Sequence, residues 1–304
     1  MTRHFLDLTA QSPATLRAIL DAGHALKAAG RGKRDLLAGK TLAMLFEKPS
    51  TRTRFSFDLA MRELGGETIV AAGSEMQLGR GESLEDTARV LSRYVDAVMI
   101  RMLDHDGLLA FADHASVPVI NGLTRRCHPC QIIADLMTVE ERLGPLDGRI
   151  LAWVGDGNNV AATFMDAARH LPFQFRVATP EALSLPQDLV VAACADGADI
   201  VVSHDPQLTA TDADVVIADA WASMGDGDEA RRKALLSPFQ VNDALMALAR
   251  PNAIFLHCLP AHRNEEVTDS VMDGPQSAVF DEAENRVHAQ KAILAYVFGV
   301  LGKI

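Results

Sequence analysis

Residues 46–60, "FEKPSTRTRFSFDLA", place Lys48, Arg52 and Arg54 among Ser50, Thr51 and Thr53 at a point where an apolar run gives way to a helical pattern. A helix start offers unpaired backbone N–H groups and a partial positive charge to an anion. Hydroxyl donors and a guanidinium fork, here Arg52, complete a phosphate grip. A solvated helix cap needs one Ser or Thr, so this density of donors points to an anion site.

Four further stretches carry reactive groups. In "NGLTRRCHPCQ" (121–131), Cys127 and Cys130 have the C-x-x-C spacing of thiol–disulfide enzymes. Alternatively, His128 and Gln131 sit on the first turn of a helix opened by Pro129 and donate to one bound oxygen. The second reading is preferred, because Arg125, Arg126 and Gln131 have no part in redox chemistry. "WVGDGNNVAATF" (153–164) resembles the dinucleotide fingerprint, but Val160 occupies the third glycine position and no acidic residue ends the next strand. Asn158 and Asn159 there suit a small polar substrate better than NAD. "ADAWASMGDGDE" (218–229) leaves a strand with Asp219, then Ser223 and Met224 before an acidic, glycine-containing loop. "FLHCLPAHR" (255–263) puts Cys258 at the end of another strand. The spacing of His257 and His262 matches no closed zinc set, so they are expected to be satisfied polar groups.

The elements that must position these groups alternate along the chain. Strands are expected at 41–46, 67–72, 96–102 and 116–121, then at 149–156, 173–179, 198–204, 214–220 and 253–260. The runs are apolar nearly throughout, as strands covered on both faces should be. Between them lie amphipathic patterns: Phe57, Ala60, Met61 and Leu64 share one face before Gly65 and Gly66 stop the helix. Ser83 to Asp86 reads as a capping box. The expected class is α/β, with two doubly wound parallel-sheet domains joined by helices. The first domain takes residues 1–137 plus 286–304, the second 138–285.

At 304 residues, with 48% hydrophobic and 23% charged side chains, the chain has material for two cores. A net charge of −11 argues against nucleic acid or an anionic membrane as partner. The first residues lack an apolar leader-like run, no apolar stretch approaches membrane-spanning length, and four cysteines make no disulfide framework. A cytoplasmic location is expected.

Together "STRTR", "QLGRGES", "DTARVLSRYVDAVMIR", "HPCQ", "VGDGNNVA", "WASMG", "HCLPAHR" and "DEAENRVHAQKAIL" make the chain closely similar to ornithine carbamoyltransferases over its full length. The resemblance implies transfer of the carbamoyl group of carbamoyl phosphate to the δ-amine of L-ornithine, giving citrulline and phosphate, without metal or cofactor. It implies that Ser50, Thr51, Arg52, Thr53, Arg101, His128, Pro129, Cys130, Gln131, Cys258, Leu259 and Arg286 address carbamoyl phosphate, together with Gln77 from a neighbouring subunit. Asn159, Asp219, Ser223 and Met224 match the ornithine positions. Thr53, Arg101, His128 and Cys258 are the implied catalytic groups, and the implied assembly is a homotrimer with shared sites. "ADAW" stands where "TDVW" is more usual, and Arg125 and Arg126 add a positive pair; neither removes an implied ligand.

Rival readings are a sister enzyme using aspartate, N-acylated ornithine or putrescine, an oxidoreductase, and an inactive homologue. An aspartate enzyme is expected to carry a lysine in the loop "GSEMQLGRGES" and "HPLP" in place of "HCLP"; neither is present. "WASMG" favours free ornithine over its acylated form or putrescine. An oxidoreductase lacks its third glycine and ribose ligand, and an inactive homologue is disfavoured because every anion ligand is present.

Overall fold

The computed structural model describes residues 2–30, 32, 35–72, 81–221 and 228–304. It divides into two compact units, one formed by Met1–Ala134 with Asn285–Ile304, the other by Asp135–Glu284. Each is a parallel sheet with helices between successive strands, which is the expected class.

In the first unit the elements are α1 (Pro13–Ala28), β1 (Thr41–Phe46), α2 (Thr51–Glu63), β2 (Glu67–Ala72), α3 (Leu84–Leu91), β3 (Ala97–Arg101), α4 (His105–His114), β4 (Val119–Leu123) and the start of α5 (Pro129–Leu143). The strand order is β2-β1-β3-β4, so the chain reverses its direction of winding between β1 and β3. Loops leaving the carboxyl ends on either side of such a reversal diverge and open a crevice.

The second unit contains β5 (Arg149–Val154), α6 (Asn159–Ala168), β6 (Phe173–Ala178), α7 (Gln187–Ala195), β7 (Asp199–Ser203), α8 (Pro206–Ala210), β8 (Val215–Ala218), α9 (Glu229–Leu236), α10 (Asp243–Met246), β9 (Ile254–His257) and α11 (Asp269–Met272). Its order, β7-β6-β5-β8-β9, puts the reversal between β5 and β8. The last helix, α12 (Val279–Val297), passes from the second unit into the first, as α5 passes from the first into the second.

The same device fixes the amino ends of the sheets on both sides of each reversal. Asp96, one residue before β3, accepts from the Thr41 N–H (2.9 Å) and from Lys40 Nζ (2.7 Å). Asp214, one residue before β8, accepts from the Ile150 N–H (2.9 Å), Arg149 (3.0 Å) and Arg250 (2.8 Å). Each aspartate takes the place of a backbone acceptor at the edge of the ladder and sets the register of two central strands. The opposite, carboxyl ends are left for chemistry.

All nine expected strands form, with two adjustments. The fourth begins at Val119 because Pro118 has no N–H to give; its carbonyl still accepts from Val98 (2.9 Å). The edge strands β2 and β7 are not covered on both faces: Ile69 is 55% exposed and Val201 46%. Apolar composition alone does not separate an edge strand from a central one.

The helices begin and end where local chemistry dictates. Ser83 Oγ caps α3 by accepting from the Asp86 N–H (3.1 Å), and Ser12 caps α1 through Thr15 (3.1 Å). Helix α2 buries Phe57, Ala60 and Met61, with Leu64 as its C-cap and Gly65 turning left-handed at φ +91°. Within the first unit, α12 places Lys291 Nζ on Glu63, a buried pair whose breakage costs about 3–5 kcal/mol. Tyr296 Oη pairs with Gln11 Oε1 (2.9 Å), and its ring meets Phe5 edge-on. Among the described residues, no helix is long and apolar enough to cross a membrane.

The "GDGNNV" turn shows what its second glycine is for. A Cβ on Gly157 would lie 2.5 Å from the Leu183 carbonyl oxygen and 2.7 Å from the Leu185 nitrogen, all backbone. The residue lets the 183–185 segment close against the turn, and its own N–H donates to Leu183 O (2.9 Å). Gly157→Ala is expected to destabilise the second unit by about 1–3 kcal/mol, as overpacking does. A lower urea midpoint at unchanged slope checks this; an unchanged midpoint refutes it.

Candidate active site

In the first unit the implied ligands converge beside the winding reversal. Ser50 is the N-cap of α2, in extended conformation at φ −150°, yet its side chain makes no capping bond. Among the described residues, no backbone acceptor takes the N–H groups of Thr51, Arg52 and Thr53. The helix start therefore faces outward with its donors available. Arg52 is half-buried and forms no ion pair with any described residue.

Below that turn lies a node of buried donors. Thr53 Oγ1, 1% exposed, accepts from Arg286 Nη2 (2.9 Å) and from Arg101 Nη1 (3.3 Å). Arg286 Nη1 also donates to Gln131 Oε1. With both lone pairs of the Thr53 oxygen occupied, its proton is directed away from the arginines. Arg101 is the last residue of β3, Thr53 lies in the first turn of α2, Gln131 in the first turn of α5 and Arg286 in α12. A cavity beside Arg101 is lined by Glu47, Lys48, Met102, Leu103 and Leu123, at the carboxyl ends of β1, β3 and β4.

His128, buried just before α5, has its pKa held well below the usual histidine range. Burial is the main cause, and the Arg286 and Arg101 guanidinium groups add to it. At neutral pH the ring is therefore an uncharged donor. The sign for stability is that of a depressed histidine: its contribution is present above an unfolded pKa of about 6.5 and fades as pH falls below it.

The neighbouring thiols are placed for packing. Burial pushes the Cys130 thiol up to about 12, and its Sγ–H donates to the Asn121 carbonyl (3.3 Å). Cys127 is buried too and accepts from Asn121 Nδ2 (3.2 Å). Redox cysteines need depressed pKa values and access, so the thiol–disulfide alternative is discarded. Pro129 is buried at the head of α5. Arg125 is exposed, and Arg126 is half-buried.

In the second unit the groups at the carboxyl ends of β5, β8 and β9 form a different cluster. Asn158 caps α6 by accepting at Oδ1 from Val160 (2.9 Å) and Ala161 (3.2 Å). Its amide donates to Asp219 Oδ2 (2.7 Å). Asp219 Oδ1 accepts from the Cys258 thiol (3.1 Å) and the Ala220 N–H (2.8 Å). Burial, with the Asp219 and Glu282 carboxylates, raises the Cys258 pKa well above the ordinary thiol value. The thiol is protonated at neutral pH and points its proton at Asp219. Asn159 opens α6 beside this cluster.

Leu259 has a left-handed φ of +59°, costing on the order of 1 kcal/mol for a residue with a Cβ. Its N–H donates to His257 Nδ1 (2.9 Å), so the ring proton sits on Nε2 and is given to Glu266 Oε1 (3.2 Å). The His257 N–H itself donates to Glu282 (2.8 Å). His257 is the satisfied polar group expected of it. His262 differs, since its Nδ1 lies 3.9 Å from Glu266 Oε2, beyond hydrogen-bond reach. Arg232 of α9 reaches Asp156 and the Trp221 carbonyl (3.1 Å), tying that helix to the turn after β5.

Thr53, Arg101, His128, Gln131 and Arg286 are thus gathered in the first unit, and Asp219 with Cys258 in the second. Gln77, Ser223 and Met224 lie outside the described residues. Sequence reasoning assigned no role to Glu266, Glu282, Asp156 or Arg232. Asn158 reads in the sequence as a polar turn residue, and its bond to Asp219 leaves no trace there. Asn158 carries a local signal as an N-cap; Glu282, Asp156 and Arg232 hold partners far along the chain, and Glu266 is buried only by the fold of its own turn, so none of these has one.

A family model described as "Aspartate/ornithine carbamoyltransferase, carbamoyl-P binding domain" matches residues 3–141. A second, "Aspartate/ornithine carbamoyltransferase, Asp/Orn binding domain", matches residues 147–297. The chain belongs to the aspartate/ornithine carbamoyltransferase family. An ornithine carbamoyltransferase of Rhodopseudomonas palustris is 59% identical over 307 residues, covering 99% of this chain and 98% of its own. The solved ornithine carbamoyltransferase from Pyrococcus furiosus superposes with a TM-score of 0.93 at 47% identity, covering 100% of this chain and 98% of that one. A solved N-acetyl-L-ornithine transcarbamylase mutant matches at 32% identity and a TM-score of 0.86, covering 97% and 99%. The second family model runs into α12, whereas residues 285–304 pack with the first unit of this carbamoyltransferase.

The discarded redox reading has a direct check. Under native conditions at neutral pH, a thiol reagent should modify exposed Cys194 first and leave Cys127 and Cys130 untouched until the chain is unfolded. Prompt native-state modification of Cys130 would contradict the assignment.

Proposed function

We propose that this carbamoyltransferase moves the carbamoyl group of carbamoyl phosphate to the δ-amine of L-ornithine, giving L-citrulline and phosphate. The observation that carries the reading is 59% identity to an ornithine carbamoyltransferase over nearly the full length, joined to the buried donor node around Thr53. The first unit holds carbamoyl phosphate. Its phosphate lies on the Ser50–Thr53 turn under Arg52, with Gln77 contributed by a neighbouring subunit. Its carbonyl oxygen takes donors from Thr53, Arg101 and His128, while Pro129, Cys130, Gln131 and Arg286 shape and support that pocket. Cys258 and Leu259 complete the carbamoyl contacts.

The amine lone pair attacks the carbamoyl carbon, and the carbonyl electrons move onto oxygen, where preformed donors stabilise the developing charge. The C–O bond to phosphate then breaks, and the departing phosphate keeps the electron pair and takes the proton that the attacking nitrogen must still lose. A neutral His128 suits this role, because it donates without adding a titrating charge. Orientation supplies much of the remaining acceleration.

The δ-ammonium, with a pKa of about 10.4, must first lose a proton, at a cost of roughly 4–5 kcal/mol at pH 7. Cys258 offers a path: its sulfur accepts the ammonium proton while its own proton passes to Asp219 Oδ1, 3.1 Å away. The raised thiol pKa agrees with a relay that never accumulates thiolate. Asn159, Asp219, Ser223 and Met224 hold the amino-acid end of ornithine, Asp219 through its carboxylate.

The enzyme acts in the cytoplasm as a homotrimer with sites shared between neighbours. Free cysteines support the first statement, and the exposure of Phe55, Ile69 and Tyr94 on the first unit supports the second. A single-chain mass by sedimentation equilibrium refutes the trimer. The sister activity on N-acylated ornithine or putrescine is the alternative. Carbamoyl phosphate offered in parallel with ornithine, aspartate, putrescine and N-acetylornithine decides between them. Citrulline from ornithine should exceed the other products by about ten-thousandfold or more in kcat/KM, the scale at which a site built to hydrogen-bond specific polar groups discriminates. Preference for any other acceptor overturns the proposal.

A further inference from the structure

Among the described residues outside the reacting groups, one cluster of ligating atoms has no assigned purpose. It lies in the turn that follows β9, where His262, Glu265 and Glu266 bring three potential ligand atoms within 4.8 Å of one another. Glu266 is fully buried. Its Oε1 is saturated by His257 Nε2 and the His262 N–H, but its Oε2 has no hydrogen-bond partner among the described residues. Burial raises its pKa, but the donors from His257 and His262 outweigh that and hold the carboxyl below its usual range. A buried carboxylate oxygen left without a donor keeps its full desolvation penalty, so its position calls for a ligand.

We propose that His262, Glu265 and Glu266 bind a divalent first-row metal ion, with zinc the best fit. The geometry and the donor set both favour it. The His262 Nδ1 to Glu266 Oε2 separation of 3.9 Å is near what two bonds of about 2.0–2.2 Å to one ion span at an open angle. One imidazole with two carboxylates suits zinc, cobalt or manganese, whereas magnesium takes oxygen ligands in a strict octahedron. His262 is 47% exposed, which leaves a route for the ion and a position for water.

Lys233 is the natural competitor. Its ammonium lies 2.7 Å from Glu265 Oε1 and 2.9 Å from Glu229, so metal binding must share Glu265 with it. Arg263, the other nearby cation in the turn, is already held by Asp269 and Asp273. Because Glu266 also carries His257, whose ring holds the Leu259 N–H, an ion here would stiffen the turn that presents Cys258 and Leu259. It would act as a structural ion and take no part in carbamoyl transfer.

Calorimetric titration of the metal-free full-length enzyme with zinc chloride is expected to show one ion per chain bound at this turn. His262→Ala and the isosteric Glu265→Gln should each weaken that binding by about tenfold or more, while metal-free turnover and melting temperature stay unchanged. Lys233→Ala should tighten it. Cobalt(II) in place of zinc should show ligand-field bands without thiolate charge transfer. Two results overturn the proposal: zinc affinity unchanged in both His262→Ala and Glu265→Gln, or binding abolished only by Cys258→Ala with thiolate charge transfer in the cobalt form. The latter would put the ion on the Asp219, His257 and Cys258 cluster.

Discussion

A guanidinium buried in a strongly acidic chain needs compensation, and the first unit is arranged to supply it at Arg286. That side chain is 3% exposed and gives its donors to Thr53 and Gln131, with Arg101 meeting it at the same Thr53 oxygen. The node joins the first turn of α2, the end of β3, the first turn of α5 and the middle of α12. Burial keeps the neighbouring His128 uncharged, and the Arg286 and Arg101 guanidinium groups add to that effect. In the proposed function, the phosphate of carbamoyl phosphate occupies the open turn above.

The second unit solves the opposite problem with the same architecture. Its reversal lies between β5 and β8, and the groups there are Asp219, Asn158 and a protonated Cys258. In the proposed function a carboxylate, an amide and a thiol receive a cationic amine, as arginines and hydroxyls receive a phosphate. In both units an aspartate pins the amino ends of the strands flanking the reversal, at Asp96 and at Asp214. Rigidity is placed at one end of each sheet, and ligand groups at the other.

Much of this was legible in the residues, for identifiable reasons. Strands such as "TLAMLF" announce themselves because burial on both faces demands continuous apolar side chains. The Ser50–Thr53 turn is readable because its donors are consecutive. Arg286 and Thr53 lie 233 residues apart, and no periodicity links them; only the family resemblance placed them in one pocket. Edge exposure at Ile69 and Val201 was hidden, since lateral position in a sheet depends on crossover order. Glu266 was silent for another reason. A glutamate in a polar turn looks solvated, and only the folded chain shows it fully buried beneath His257.

In the proposed function the Arg286 node helps to hold carbamoyl phosphate. Calorimetry of carbamoyl phosphate binding to the ornithine-free enzyme tests it, comparing the native chain with Arg286→Gln after circular dichroism confirms that the variant is folded. Truncating a buried charge partner costs about 2–5 kcal/mol, so the dissociation constant should rise by at least about thirtyfold. A constant within about twofold of the native value would contradict the account.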